Sequence, residues 1–267
     1  MNIYKFEVKM LIKSMLVWSL GISAGLLFYI SFYPLMQADS AAFDQLMSEF
    51  PPEFLAFFGM GGELSFTSVL GYYVLTYSMI QIPIAIQATN YGLNMLSVEE
   101  RELTADFLLS KPIKRSTIFF SKLLAALTSL TVVNISIWIA TFIALIIFKG
   151  DETIPWNGVV LLLSSILLFQ LTFVGIGMLI SVSLKKLRSV LSFSMAIGFG
   201  LYIINSLGEM FTSNIFKVFS PFGHFNPTYI IVNESYHFGF TLISLLITVG
   251  TLVASYFLYL RRNIASL

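Results

Sequence analysis

The sequence has no cysteine and only two histidines, and charged residues make up 11% of its 267 residues. Without cysteine, disulfides, thiol nucleophiles and cysteine-ligated metals are excluded, and two histidines leave little for a zinc or haem site. Soluble domains carry about 25% charged residues, so this chain has too few to cover a surface that faces water. The low charge argues against a soluble enzyme, and a formal net charge of +1 gives nucleic-acid binding no electrostatic basis.

Apolar residues dominate instead. They form 57% of the chain, which includes 26 Phe and 12 Tyr, and the mean hydropathy is +0.86. A helix needs about 20 apolar residues to cross a bilayer. Such runs occupy approximately residues 14–33, 68–89, 123–148, 158–184, 189–207 and 238–260. The first run is longer than the apolar core of a signal peptide. The sequence therefore predicts an all-α integral membrane protein with six transmembrane helices in a single domain, residues 1–267.

The distribution of Lys and Arg predicts the orientation. If both termini are cytoplasmic, all 15 basic residues except Lys149 and Lys217 lie on the inside. Cytoplasmic loops are enriched in Lys and Arg, and each basic residue near anionic lipid gains about 1 kcal/mol. We therefore expect a multi-pass plasma-membrane protein with both termini in the cytoplasm.

Three segments outside the spans have patterns of their own. Residues 2–13 combine lysines with apolar residues and predict an interfacial amphipathic helix. Residues 35–67 are acidic, contain no Lys or Arg, and predict short helices at 41–50 and 53–58. Residues 208–237 are too apolar for a loop in water but are interrupted by Pro and Gly. This last segment predicts broken or re-entrant helices before span six.

The inner segment 90–122 predicts a short bounded helix. Ser97 and Glu100 form a capping-box pattern, and Pro112 stops a helix, which together delimit residues 98–110. Two interpretations stay open at this point. The helix is either a docking element for another protein or a solvated hairpin that joins two spans.

The sequence shows no chemistry of its own. The glycines at 59–62 are not followed by Lys-Ser or Lys-Thr, so the phosphate loop of an ATPase is absent. The spans also carry essentially no charge at mid-depth, whereas ion-coupled transporters need such groups. A secondary transporter or channel without an ATPase partner is the alternative reading.

Neutral polar residues within the spans are candidates for a translocation path, although ordinary interhelical hydrogen bonding explains them equally. They are Tyr77, Gln81, Gln87, Asn134, Gln170 and Asn205. Paired glycines, Gly175 with Gly177 and Gly198 with Gly200, predict places where helices approach closely.

The run ERELTADFLLSKPIKRSTIFFSK, from Glu100 to Lys122, resembles a motif of type 2 permeases of ATP-binding-cassette (ABC) exporters. In that family, E-x-G-T is followed by L-x-x-x-P, a basic residue and a later Lys. Here Leu103 stands where the family has Gly, and Glu102 lies one residue closer to the Thr than the family's Glu. The matching residues are Glu102, Thr104, Leu108 or Leu109, Pro112, Arg115 and Lys122.

The resemblance implies a division of labour between subunits. The inner helix would be a coupling helix that docks on a separate ATPase subunit, through Glu99, Glu100, Arg101, Glu102, Thr104 and Asp106, with Pro112, Arg115 and Lys122 anchoring the loop. Two ATPase copies would hold ATP and Mg, leaving no cofactor on this chain. A second permease, identical or related, would complete a bacterial exporter of amphipathic or hydrophobic peptides, lipids or drugs.

Overall fold

The computed structural model describes residues 3–60, 64–101, 113–184 and 189–261, and these ranges contain helices and no strand. The long helices are α1 (Ile3–Ile30), α5 (Val69–Arg101), α6 (Arg115–Phe148), α7 (Trp156–Ser183), α8 (Val190–Met210) and α12 (Phe238–Arg261). The short helices are α2 (Tyr33–Ala38), α3 (Ser40–Ser48), α4 (Pro52–Phe57), α9 (Asn214–Phe219), α10 (Pro221–His224) and α11 (Pro227–Asn233).

Within the described ranges, six helices are long and apolar enough to cross a membrane, which confirms the predicted all-α, six-span architecture. One end each of α1, α5 and α6 extends well beyond the predicted span, because hydropathy finds only the apolar part of a helix. The residues expected to form an interfacial helix at the N-terminus are continuous with the first span in α1. Likewise, α6 begins at Arg115 rather than near residue 123.

The predicted helix start at Ser97 is wrong. Ser97 lies inside α5, and its hydroxyl donates to the Leu93 carbonyl at 2.7 Å. A helix that continues from a preceding span already has partners for its N–H groups, so it needs no cap at this position. The rest of the predicted helix, residues 102–110, lies outside the described residues.

The two interrupted segments fold into short helices, as expected. Residues 35–67 contain α3 and α4, and residues 208–237 contain α9, α10 and α11. Proline occupies the first position of α4, α10 and α11, where a helix needs no N–H donor. Asn226 caps α11 by accepting from the Tyr229 N–H at 3.0 Å.

Helices α5 and α7 form the centre of the bundle. Helix α7 packs on α5 and α12, while α8 lies on α5 and α1 lies on α6. A Cβ atom added at Gly177 would come within 2.7 Å of the Thr89 carbonyl oxygen, so the two backbones touch there. Ser181 adds a hydrogen bond of 2.9 Å to the Leu93 carbonyl. The hydrophobic effect does not drive helices together in lipid. Close packing at small residues stabilises the contact between the helices instead.

The other predicted glycine contacts are partly confirmed. A Cβ at Gly175 would meet Thr251 of α12, and one at Gly198 would lie 2.8 Å from Ile86 of α5. None of the described residues lies within 4 Å of a Cβ at Gly200, so the close contact that this glycine permits is not made with them. Gly200 faces away from the other described residues. The spacing of glycines along one helix does not show toward which neighbour each glycine faces.

The two ends of the bundle differ in charge. The basic end carries the starts of α1 and α6 and the end of α12, and the acidic end carries α2–α4 and α9–α11. At the acidic end, Glu152 accepts from the Val69 N–H at 3.1 Å and from the Tyr33 hydroxyl at 3.0 Å. A carboxylate at a helix N-terminus is favourable, so Glu152 fixes where α5 begins.

Replacing Gly177 with Ala should destabilise the bundle, because the new methyl group would meet backbone atoms that cannot move aside. Overpacking of this kind costs about 1–3 kcal/mol. We expect Gly177→Ala to lower the apparent melting temperature in detergent, measured by size-exclusion chromatography after heating. Gly200→Ala is the matched control and should leave the melting temperature unchanged. Equal melting temperatures for both variants would contradict the close α5–α7 contact.

Candidate functional site

A buried cation holds three helices together at the basic end. Lys122 of α6 is 1% exposed, and its ammonium lies 3.3 Å from a carboxylate oxygen of Glu7 in α1. It also forms an ion pair with Glu99 near the end of α5. A buried charge is tolerated only when it is paired. The cluster therefore fixes the end of α5 against α1 and α6, at the point where the chain enters the predicted docking segment.

This cluster brings together two residues of the predicted coupling region. Lys122, predicted to anchor the loop, contacts Glu99, predicted to dock on the ATPase. Arg115 is also engaged, since it donates to the Leu260 carbonyl of α12 at 3.2 Å. Sequence reasoning missed Glu7; its signal is an acidic residue among lysines and apolar residues in the N-terminal segment.

Most of the predicted docking surface lies outside the described residues. This holds for Glu102, Thr104 and Asp106, and for the side chains of Glu100 and Arg101. Pro112, predicted to anchor the loop, also lies outside them. The roles of these residues stay predictions.

Three of the candidate path residues form one buried chain of amides. The Asn134 side chain donates to Gln170 at 2.9 Å, and Gln170 donates to Gln87 at 3.3 Å. This chain of amides crosses from α6 through α7 to α5, in the middle of the packed bundle. This arrangement is ordinary interhelical hydrogen bonding, which was the alternative to a translocation path for these residues. A role for these amides in a translocation path stays a prediction.

The other three candidates lie nearer the acidic end. Tyr77 is buried on α5, one turn from Gln81. Gln81 and Asn205 both line an open cavity of about 410 Å³, which is bordered by α4, α5, α8, the short helices α9–α11 and the start of α12. Gln81 donates to the Phe225 carbonyl at 3.1 Å, so it also fastens the chain between α10 and α11.

The cavity has aromatic walls and a polar border. Rings of Tyr202, Phe222, Tyr229 and Phe240 line it. At the border, Glu209 accepts from Lys217 at 2.9 Å and from Asn226 at 3.0 Å. The ammonium and the carboxylate therefore neutralise one another.

His224 and Ser206 are the most buried polar residues of the cavity, each with 2% of its surface exposed. The Nε2 atom of His224 lies 2.9 Å from the Val218 carbonyl. Burial lowers the pKa of His224, and the hydrogen bond to the Val218 backbone opposes that shift only in part. The ring is therefore neutral near pH 7.

Sequence reasoning missed four residues at this cavity: Glu209, Lys217, His224 and Asn226. They lie near the end of α8, on α9, on α10 and at the cap of α11, so no periodicity connects them. Among the described residues, no group of three or more His, Cys, Asp and Glu could hold a metal ion.

Family membership follows from a comparison of the whole chain. The family model described as "ABC-2 family transporter protein" matches residues 1–264. The chain belongs to this family. The comparison with curated proteins gives no significant match. The resemblance inferred from the segment 100–122 is thereby confirmed, and the chain is a membrane component of an ABC transport system.

For this ABC-2 family member, replacing Lys122 with Met should destabilise the fold. The variant leaves Glu7 and Glu99 facing one another without a counter-charge. Removing one partner from a fully buried pair costs about 3–5 kcal/mol; we expect less here, because both carboxylates are partly exposed. The measurement is the apparent melting temperature in detergent.

The matched rescue combines Lys122→Met with Glu7→Gln and Glu99→Gln, which removes all three charges. We expect it to regain most of the lost stability. If Lys122→Met alone is as stable as the parent protein, the cluster contributes little to the stability of the fold.

Replacing Gln170 with Leu should break both hydrogen bonds of the amide chain at once. Interhelical hydrogen bonds in membranes contribute about 0.6 kcal/mol on average and up to about 1.7 kcal/mol. We therefore expect a modest fall in the unfolding free energy, measured by denaturation in mixed micelles. Gln45→Leu on the exposed face of α3 is the control. An equal effect of both variants would argue against a stabilising role for the chain of amides.

Proposed function

We propose that the chain is the permease subunit of an ATP-driven exporter, coupled to a separate ATPase subunit through the segment between α5 and α6. The observation that carries this proposal is the family match together with the segment's own residues. Glu102, Thr104, Pro112 and Lys122 follow the type 2 permease pattern, and the chain has no phosphate loop. A transporter without an ATP site or a charge at mid-membrane depth needs an outside source of energy.

The proposed complex contains two permease chains, identical or related, and two ATPase subunits that bind ATP and Mg. The basic end lies in the cytoplasm with both termini, because Lys and Arg are retained on that side. The complex resides in the plasma membrane of a bacterium. Each permease forms one transmembrane domain.

Helix α5 supports a mechanism for the coupling. It has 33 residues and is therefore about 50 Å long. One end leads into the docking segment and is held by the Lys122 cluster, and Gln81 on the same helix lines the acidic-end cavity. Closure of the ATPase pair would displace the docking segment. Because α5 is a single helix, that displacement would reach the cavity.

The lining of the proposed path suits an amphipathic or hydrophobic cargo such as a peptide, lipid or drug. Its candidate polar residues are neutral, and aromatic rings surround the cavity at its acidic end. Neutral polar groups with aromatic walls bind ligands that are partly apolar.

Reversing the charge of the docking segment should uncouple the subunits. We expect Glu102→Lys with Asp106→Lys to lose the ATPase subunit during affinity purification in mild detergent. Transport should be lost as well, while the amount of permease in the membrane stays the same. The reason is that Lys side chains would replace the acids at the proposed contact.

The control is Asp44→Lys with Glu49→Lys, a matched double reversal on the exposed surface of the acidic end. We expect this variant to retain the ATPase and to transport normally. Full retention of the ATPase and normal export by the docking variant would overturn the docking assignment. A chain that never retains an ATPase would favour a secondary transporter or channel.

A further inference from the structure

One side of α1 carries three lysines near the start of the helix. Lys5, Lys9 and Lys13 follow one another at intervals of four residues, and all three are exposed. Residues four apart lie on the same side of a helix, so the three lysines form a row about 12 Å long. This row, which we call the lysine face, lies at the basic end of the bundle.

The lysine face has no partner of opposite charge in the part of the chain that the structure describes. The ion pairs found there involve Lys122 and Lys217 instead. Glu7 is the only acid of α1, and it lies two residues from both Lys5 and Lys9. Side chains two residues apart on a helix do not face each other, and Glu7 pairs with Lys122 on the other side of α1.

These charges are unfavourable for α1 on its own. Like charges four residues apart on a helix repel each other. The start of a helix also carries a partial positive charge, and α1 has no acid in its first turn. An anion that lies along the row relieves both effects, because it sits between the ammonium groups and near the helix start.

Apolar side chains continue the same exposed surface toward the middle of the first span. Phe6 and Met10 flank the lysines, with 47% and 63% of their surface exposed. Leu16 and Val17 follow, and they are 58% and 69% exposed. A ligand that matches this surface combines a negative charge with a long apolar part. An anionic phospholipid has both, whereas a soluble phosphate has only the charge.

The position of the lysine face favours a lipid over a second protein chain. The basic end is the cytoplasmic side in the proposed orientation, and the cytoplasmic leaflet carries anionic lipids. Lysines near the end of a span lay their stems on apolar surface and extend their ammonium groups to the headgroups. A symmetric contact with a second copy would set lysines against lysines, and their repulsion would oppose it.

We propose that the lysine face of α1 binds an anionic phospholipid. The phosphate lies between the ammonium groups of Lys5, Lys9 and Lys13, and the acyl chains lie along the exposed apolar residues that follow. Glu7 holds the other side of the same helical turns to Lys122, so the lipid and the Lys122 cluster fix the start of α1 from opposite sides. Binding needs neither ATP nor the ATPase subunit, and failure of this proposal would leave the exporter assignment intact.

Titration of the delipidated full chain in detergent, followed by native mass spectrometry, tests the proposal. The probe is dioleoylphosphatidylglycerol. Dioleoylphosphatidylcholine, which has the same acyl chains and no net charge, is the reference lipid. We expect the first phosphatidylglycerol to bind about a hundredfold more tightly than phosphatidylcholine, because each lysine beside an anionic headgroup strengthens binding about fivefold. A detergent micelle has no leaflets, so the result does not depend on the orientation of the chain.

Variants then locate the site. We expect Lys9→Gln to weaken phosphatidylglycerol binding about fivefold, and the triple change of Lys5, Lys9 and Lys13 to Gln to remove the preference for this lipid. The triple change to Arg keeps the charges and should keep the preference. Lys149→Gln, at the C-terminal cap of α6 on the acidic end, is the matched single control and should bind as the parent does. The elution volume on size-exclusion chromatography checks the fold of every variant.

A second readout follows from linkage between binding and stability. A ligand that binds only the folded state raises the melting temperature. Phosphatidylglycerol should therefore raise the apparent melting temperature of the parent and of the triple Arg variant more than phosphatidylcholine does. The two lipids should have equal effects on the triple Gln variant.

Three results would overturn the proposal. The first is equal affinity of the parent chain for the two lipids. The second is an unchanged preference in the folded triple Gln variant; if that variant also lost the ATPase subunit during purification, the lysine face would be a protein contact. The third is displacement of phosphatidylglycerol by an equal concentration of glycerol 3-phosphate, which would show that the face binds a soluble anion.

Discussion

The rest of the structure depends on the close contact between α5 and α7. Glycine at position 177 lets the backbones touch, and the Ser181 hydroxyl bonds to the α5 backbone at the same level. In lipid, such contacts and hydrogen bonds must do what the hydrophobic effect does in water. The amide chain of Asn134, Gln170 and Gln87 extends this contact to α6. The other spans pack around this centre, and α1, α8 and α12 present apolar residues such as Leu20, Ile203 and Leu246 on their outer surfaces.

Helix α5 connects the parts of the molecule to which the proposed mechanism assigns a role. Its start is fixed by Glu152, its middle borders the cavity through Gln81, and its end is held by Lys122 through Glu99. The helix runs the length of the bundle without a break, although Pro83 has no N–H to donate to the Met79 carbonyl. In the proposed mechanism, this arrangement would let energy supplied at one end of the permease alter the cavity at the other.

The architecture was predictable from the sequence, and the sites were only partly so. Hydropathy identifies the spans because a bilayer demands long apolar helices, and proline identifies the short helices at 208–237. The predicted start of the inner helix at Ser97 was wrong. A local capping pattern does not show whether the preceding helix, here α5, continues through that position. Glu7, His224 and Glu209 were missed because their partners lie on other helices, and pairings across space leave no periodicity in one sequence.

The most direct test of the account is whether ATP moves the acidic end of α5. The chain contains no cysteine, so nitroxide labels at Ser65→Cys and Phe238→Cys report only on the starts of α5 and α12. Electron–electron double resonance on the permease–ATPase complex, with only one of its two permease chains labelled, then measures the distance between the two labels. We predict that ATP with vanadate shifts the distance distribution, and that Glu102→Lys with Asp106→Lys abolishes the shift. Identical distributions with and without nucleotide, in a complex that hydrolyses ATP, would contradict transmission along α5.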